Sequence, residues 1–296
     1  MREGFVPALG TPLDEEGNLL TESFRKQIDD QINAGAVGLL CMGSMGTQAF
    51  LRGSVYPQVA RAAVEAAAGR VPVFVGAMDT SIARAKERMA AIEDLDIAGF
   101  VFTAPYYSPV SRDKMVNFFK AVAAATAHKV LLYDLPSVTQ AKITYDMVLE
   151  LIRSVPNLAG IKSADTQMFR KLKLNPEVPE DFIMVYSGLD TFDIAYKWGI
   201  NHCLDGMLSC TPHNTEKLFK AMAAGDYDTA AVCLDHIVAL RDFFVAHDLW
   251  PSFTAAMNLL GYEGLYGPDY VTPIRESYIA EIRNEMVRIG EPVKNS

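Results

Sequence analysis

The sequence is sparing with the residues that mark several classes of protein. Its 296 residues hold four cysteines, Cys41, Cys203, Cys210 and Cys233. None makes a CxxC pair or a Cys/His metal spacing, so they read as reduced thiols inside apolar runs. Histidine is scarce as well: of His128, His202, His213, His236 and His247, only His202 falls near a strand end. A metal centre needs several imidazoles or carboxylates converging on one ion, and no metal is expected. No apolar run reaches the roughly 18 residues that mark a membrane span. The opening Met1-Arg2-Glu3-Gly4 has no signal-peptide core and leads straight into strand-like sequence. There is no low-complexity linker and no tandem repeat. The net charge of −9 speaks against nucleic acid or an anionic membrane as partner. It leaves room for an anionic small substrate, which responds to the local field of its pocket. A soluble, cytoplasmic protein is expected.

What is present is a rhythm. With 50% hydrophobic and 21% charged residues, the chain can build one large core. Short apolar runs recur at Phe5–Leu9, Val37–Cys41, Val71–Val75, Gly99–Phe102, Val130–Tyr133, Ala159–Lys162, Phe182–Tyr186 and Cys203–Leu208. Helical stretches lie between them. Ile82, Ala85, Met89 and Ile92 recur at three- and four-residue steps behind Asp79 or Thr80 as a cap. Near-continuous apolar strands alternating with helices predict a parallel sheet buried on both faces. Eight such units predict an α/β fold of the (β/α)8 barrel type. A doubly wound sheet lacks its usual support, because no GxGxxG or GxxxxGK[ST] follows the first strand. From Gly225 onward only helical periodicity remains. Ala230, Cys233, Leu234, Ile237, Leu240 and Phe244 form one stripe. Further helices are expected near Ser252–Leu260 and Pro273–Ile289, with the glycine-rich segment 261–268 as a loop. The expected division is a barrel over 1–224 and a helical extension over 225–296.

A barrel of this kind carries its site at the C-terminal ends of the strands. After the second strand comes Gly43-Ser44-Met45-Gly46-Thr47, where backbone N–H groups can cradle a carboxylate; a plain βα turn reads the same way. The fourth run leads into Pro105-Tyr106-Tyr107, and the fifth ends in Tyr133-Asp134-Leu135-Pro136. The sixth ends in Gly160-Ile161-Lys162, pointing a lysine into the barrel mouth. A buried ammonium is costly unless paired, so Lys162 is either a nucleophile or half of an ion pair with Asp134 or Asp190. A phenol beside the amine, Tyr133, supplies the proton shuttle that imine chemistry needs. Ser/His/Asp hydrolysis lacks a GxSxG elbow.

These motifs, in this order and spacing, resemble the dihydrodipicolinate synthase / N-acetylneuraminate lyase family of Schiff-base, pyruvate-dependent aldolases. The resemblance runs from Pro7-Ala8-Leu9-Gly10-Thr11-Pro12 through Ser187-Gly188-Leu189-Asp190 into the helical tail. It implies that Lys162 forms the imine with a 2-keto group and that Tyr133 shuttles protons. Ser44 would link Tyr133 to Tyr107 lent by an adjacent subunit, and the amides of Ser44 and Met45 would hold the pyruvate carboxylate. Ala8, Gly188, Asp190 and Val138 would complete the substrate surface. It further implies no cofactor, and a homo-oligomer built as a dimer of dimers. On composition alone, Tyr107 can instead be a local packing aromatic.

The departures fall on the second substrate. Met45 lacks the usual hydroxyl. Val138 stands where the synthases have an arginine that grips the carboxylate of aspartate semialdehyde, a bidentate contact that valine cannot make. Gln140 replaces a glycine. Ala164 stands where the sialic-acid lyases have threonine, and Thr191 follows Asp190 where those lyases have glutamate. The expected activity is therefore aldol-type cleavage or condensation of pyruvate with an aldehyde, from a 2-keto-3-deoxy sugar acid or a smaller hydroxy-keto acid. The rivals are a true 4-hydroxy-tetrahydrodipicolinate synthase and a catalytically silent keto-acid binding protein.

Overall fold

The computed structural model describes residues 2–294; residue 1 and residues 295–296, the outer ends of the two expected segments, lie outside the described residues. Eight parallel strands form a single sheet: β1 Gly4–Pro7, β2 Leu39–Cys41, β3 Val73–Gly76, β4 Gly99–Thr103, β5 Val130–Tyr133, β6 Leu158–Ser163, β7 Ile183–Tyr186 and β8 His202–Asp205. Their order is β1-β8-β7-β6-β5-β4-β3-β2. A parallel bridge between Ala8 and Leu40 brings the two ends together. The N–H of Leu9 donates to the Leu40 carbonyl at 2.9 Å, and that of Val37 to the Phe5 carbonyl at 2.9 Å. Helices lie between the strands, as the alternating pattern predicts.

Period-two alternation splits the strand side chains between two cores. In β4 and β5, Val101, Leu131 and Tyr133 point inward and join Val6, Phe74, Val185 and Leu204 in a plug that fills the barrel. Phe100, Phe102, Val130 and Leu132 point outward and pack under the helices. Since every strand is buried on both faces, the runs are apolar almost throughout, which is why they stand out in the sequence.

The strand limits differ from expectation where polar capping intervenes. The eighth run does not continue to Leu208. Asp205 accepts the N–H of Met207 at 2.9 Å, and the short helix Met207–Cys210 begins there. Likewise the helix Ile82–Ala90 is capped by Ser81, whose hydroxyl accepts from the N–H of Arg84, and not by Asp79 or Thr80. Asp79 is instead buried and bonded to Arg84 at 2.7 Å and Arg88 at 2.8 Å.

After Gly225, which turns the chain at φ +75°, come the helices Tyr227–His247, Leu249–Leu259 and Glu276–Arg288. The stripe from Ala230 to Phe244 is buried. Leu13 and Leu265 exchange backbone hydrogen bonds at 3.0 and 2.8 Å. Buried Glu291 accepts the N–H of Asn214 at 2.8 Å. These contacts hold the helical part against the barrel. No helix among the described residues is long and apolar enough to cross a membrane.

Candidate active site

The loop after β2 is shaped by close backbone approach. A Cβ on Gly46 would lie 2.8 Å from the Met42 Cα and 3.0 Å from the Leu9 carbonyl, so no larger residue fits without a shift. Met42 itself adopts φ +54°, a left-handed conformation that costs a non-glycine residue on the order of 1–3 kcal/mol. The Thr11 hydroxyl donates to the Gly46 carbonyl at 2.7 Å and fixes the turn. Among the described residues the N–H groups of Ser44 and Met45 meet no acceptor. That leaves two free donors at the barrel mouth, the arrangement an anion cradle needs.

The strand ends opposite carry the lysine and the phenol. Tyr133 and Lys162 are register partners in β5 and β6, and in a parallel pair register partners face the same way, here into the barrel. Both are 6% exposed. The Lys162 amine lies 3.9 Å from the centroid of the Tyr133 ring. Beneath the lysine, Val6, Phe74, Val101, Leu131, Val185 and Leu204 close around a void of only about 10 Å³. Lys162 makes no ion pair among the described residues. Both expected partners are engaged elsewhere. Asp190 is held by Arg241 through contacts of 2.6 and 2.8 Å, and Asp134 accepts from Lys142, from the Ser163 hydroxyl at 2.7 Å and from the N–H of Ile143 at 3.0 Å. The ion-pair alternative for Lys162 is therefore absent from this structure.

Asp134, Lys142, Ser163 and Asp165 form one network on the outer side of β5 and β6. Lys142 bonds Asp134 and lies 2.9 Å from Asp165. Burial works against the charge on Lys142, but the two carboxylates outweigh it and hold its pKa above the usual lysine value. For Asp165 burial is likewise outweighed, by the N–H of Met168 and by Lys142, and its pKa lies below the usual carboxylate value. The network pins the strand ends that carry Tyr133 and Lys162. It also occupies the only cation that follows Val138 closely in sequence.

Sequence reasoning missed Asp205. It closes β8 near Lys162, and burial pushes its carboxyl pKa up, against the pull of the Lys162 ammonium and the N–H of Met207. Running the eighth strand on to Leu208 had placed Asp205 mid-strand, where a strand-end search passes over it.

A cavity of about 400 Å³ opens beside these strand ends, lined by Ser44, Gln48, Thr103, Tyr106, Leu135 and Val138 among others. Lys162 is not part of its wall. Val138 is 57% exposed at its edge. Of the remaining expected residues, Ala8 is buried and donates to the Asp205 carbonyl at 3.1 Å. Gly188 sits where a Cβ would come 2.5 Å from the Tyr186 hydroxyl. That hydroxyl is bonded to Thr191 at 2.6 Å. Tyr107 is 87% exposed, so it does not pack within its own chain. No hydrogen bond joins Ser44, Tyr133 and Tyr107 among the described residues. One chain thus brings Lys162 and Tyr133 together, carries the Ser44 and Met45 N–H groups on the loop after β2, and leaves Tyr107 turned to solvent. Among the described residues no group of three or more His, Cys, Asp or Glu is placed to hold a metal.

Residues 1–286 match the Dihydrodipicolinate synthetase family. The chain belongs to that family. It is 31% identical over 295 residues to the 4-hydroxy-tetrahydrodipicolinate synthase of Nitrosospira multiformis, covering 97% of this chain and 96% of the other. It is also 31% identical over 298 residues to the protein of the same name from Neisseria meningitidis, covering 98% and 100%. Among solved structures, YagE of E. coli K12, in complex with pyruvate, shares the fold with a TM-score of 0.88 at 23% identity over 98% of this chain and 99% of that one. A monomeric dihydrodipicolinate synthase variant shares it with a TM-score of 0.88 at 19% identity over 98% of each chain. Enzymes of the family are carbon–carbon or hydro-lyases that use pyruvate through a covalent lysine Schiff base and need no cofactor.

Proposed function

We propose that this chain is a class I aldolase that interconverts a 4-hydroxy-2-keto acid with pyruvate and an uncharged aldehyde. One observation carries the choice of substrate. The 400 Å³ cavity at the strand ends, which Val138 lines, has no Lys or Arg in its wall, and Lys142 is spent on Asp134 and Asp165. Nothing there replaces the arginine whose place Val138 takes. The reading treats residues 1–224 as the catalytic barrel and 225–296 as its helical extension, in a cytoplasmic homo-oligomer assembled as a dimer of dimers.

In this reading the carboxylate of the keto acid accepts hydrogen bonds from the N–H groups of Ser44 and Met45. The Lys162 amine adds to C2, and loss of water from the carbinolamine gives the protonated imine. Tyr133 takes the proton of the C4 hydroxyl, the C3–C4 bond breaks, and its electron pair moves into the imine to form the enamine. The aldehyde leaves, C3 is reprotonated, and water releases pyruvate from Lys162. Ser44 and Tyr107 of an adjacent subunit relay the Tyr133 proton.

The second reading, 4-hydroxy-tetrahydrodipicolinate synthase, is favoured by the names of the relatives that are 31% identical. Paired assays separate the two: pyruvate release from uncharged-tail 4-hydroxy-2-keto acids, and condensation of pyruvate with aspartate semialdehyde. Efficient cleavage with poor condensation is expected. Condensation at the rate of an ordinary biosynthetic enzyme would overturn the proposal in favour of the synthase. A catalytically silent binder would give neither reaction.

A further inference from the structure

The cavity of about 400 Å³ at the strand ends has a neighbour. A second cavity, of about 440 Å³, is lined by the helical part between Trp250 and Ile279. Trp250 stands in the wall of both and is the one residue they share. Their rims also meet: Phe50, from the wall of the first, packs edge to face on Tyr270 at 6.1 Å, and Tyr270 is flanked by Asp269 and Val271 of the second. Each volume falls within the roughly 300–1,000 Å³ typical of small-molecule sites. The position of Trp250 is fixed from two sides. Asp248, between the helices Tyr227–His247 and Leu249–Leu259, adopts φ +87°. Non-glycine residues rarely take that conformation, and those that do cluster at functional sites. The turn puts Trp250 in the first turn of the second helix. Opposite it, a Cβ on Gly267 would come 3.0 Å from the Trp250 Cβ and 3.5 Å from its Cγ, so the side chain is seated against the loop backbone.

We infer that Trp250 is a specificity-determining residue, the partition that ends the aldehyde pocket and so limits the length of the aldehyde. The inference deepens the aldolase reading and rests on it. Ser44, whose N–H belongs to the cradle in that reading, lines the first cavity. A keto acid anchored there extends its far end into this space. The wall offers that end Phe50, Met78, Leu135 and Val138, which give apolar contact and no charge, and then the ring of Trp250. A methylene added to a tail in such a pocket is worth about 10- to 200-fold in kcat/KM while there is room for it. Once the tail meets the ring, further length only crowds it. On the other side of the ring, Leu265, Val271, Ile274 and Ile279 line space of the same apolar kind that the tail does not enter. Truncating a large side chain leaves a cavity, because its surroundings relax only in part. Removing the ring therefore joins the two spaces and lengthens the pocket.

The test is a ladder of 4-hydroxy-2-keto acids with straight alkyl tails of increasing length, from methyl to octyl, and pyruvate release as the readout. In the wild type kcat/KM should climb with length and then fall. Trp250→Ala should move the fall to longer tails, raising the kcat/KM ratio of a tail just past the wild-type limit to the methyl tail by about tenfold or more. Trp250→Phe should move it less. Borohydride trapping of pyruvate on each variant reports whether the lysine site is still assembled. A second measurement does not depend on truncating Trp250. The chain has two tryptophans, so in Trp198→Phe protein Trp250 is the sole indole. Its emission should change when a tail of limiting length is bound and stay as it is with pyruvate. A wild type with no length limit, a limit unmoved in a Trp250→Ala protein that traps pyruvate, or emission indifferent to the tail overturns this inference alone. Failure of the wild type to trap pyruvate overturns the aldolase reading and this inference with it.

Discussion

The two halves of the barrel mouth are built differently. The half that carries Lys162 stands on regular strands: Tyr133 and Lys162 are paired in register at the ends of β5 and β6, and their backs are tied by Asp134, Lys142, Ser163 and Asp165. The half around the 400 Å³ cavity is made largely from residues beyond the strands, such as Gln48 and Phe50 in the turns after β2 and Val138 in the short helix Pro136–Thr139, with Trp250 reaching in from the helical part. Strand pairing fixes a side chain through backbone hydrogen bonds, whatever lies beside it. Loop positions are free to change identity without disturbing the sheet. In the proposed function the strand-built half is the reacting end and the half built beyond the strands is the selecting end.

The strongest way to break this comparison is at the shared end. Tyr133→Phe keeps the ring that packs against Lys162 and removes only the hydroxyl. Turnover should fall by about two to four orders of magnitude, with the melting temperature little changed. A near-normal rate in steady-state assays would mean that another group, Asp205 or water, moves the proton.

At the selecting end, Val138→Arg should raise condensation with aspartate semialdehyde by about one to two orders of magnitude, the worth of a charge-assisted hydrogen-bonding partner. If condensation does not rise, the short helix Pro136–Thr139 holds residue 138 away from the substrate.

Tyr107 tests whether the reacting end is complete in one chain. Its 87% exposure suits a residue that works in a neighbour's site. Mixing Tyr133→Phe with Tyr107→Phe protein should form hybrid dimers with one intact site each, and recover about a quarter of wild-type turnover under random exchange in a two-fold dimer. No recovery after exchange, as followed by native mass spectrometry, would keep Tyr107 out of the reaction.

The smallest effect concerns the network behind the strands. The pKa of Asp165 is lowered in the fold, so its contribution is present above the usual carboxylate value of 3.8 and is lost as pH falls below it. The pKa of Lys142 is raised, so its contribution is present below the usual lysine value of 10.5 and is lost as pH rises above it. Lys142→Met should therefore lower the melting temperature most between these limits, and the gap to wild type should narrow at pH 3 and at pH 11. Lys142 is partly exposed, so the gap should be modest. A gap independent of pH would assign the effect to packing.

How far the sequence could be read follows the same division. The eight apolar runs mark the strands because both faces of each are buried, and a lysine ending such a run stands out at once. Tyr133 beside it, the family and the barrel follow from local pattern. Ser81, rather than Asp79, caps its helix because the first turn starts at Ile82, while Asp79 bonds Arg84 and Arg88 of the same helix. Asp205 was hidden by a strand that ends three residues early. Gln48 and Thr103 look like ordinary polar residues in sequence, yet their buried side-chain polar atoms have no partner among the described residues, and partner counts exist only in three dimensions. The occupation of Lys142 by Asp165 spans 23 residues of sequence and leaves no periodic trace.

The central claim is that Lys162, buried above the barrel core with no ion pair among the described residues, is the nucleophile. Borohydride reduction in the presence of pyruvate, followed by digestion and mass spectrometry, tests it directly. The account predicts one stable adduct, on the peptide containing Lys162, and none in Lys162→Ala. An adduct on another lysine, or no adduct in the folded wild-type protein, would contradict it.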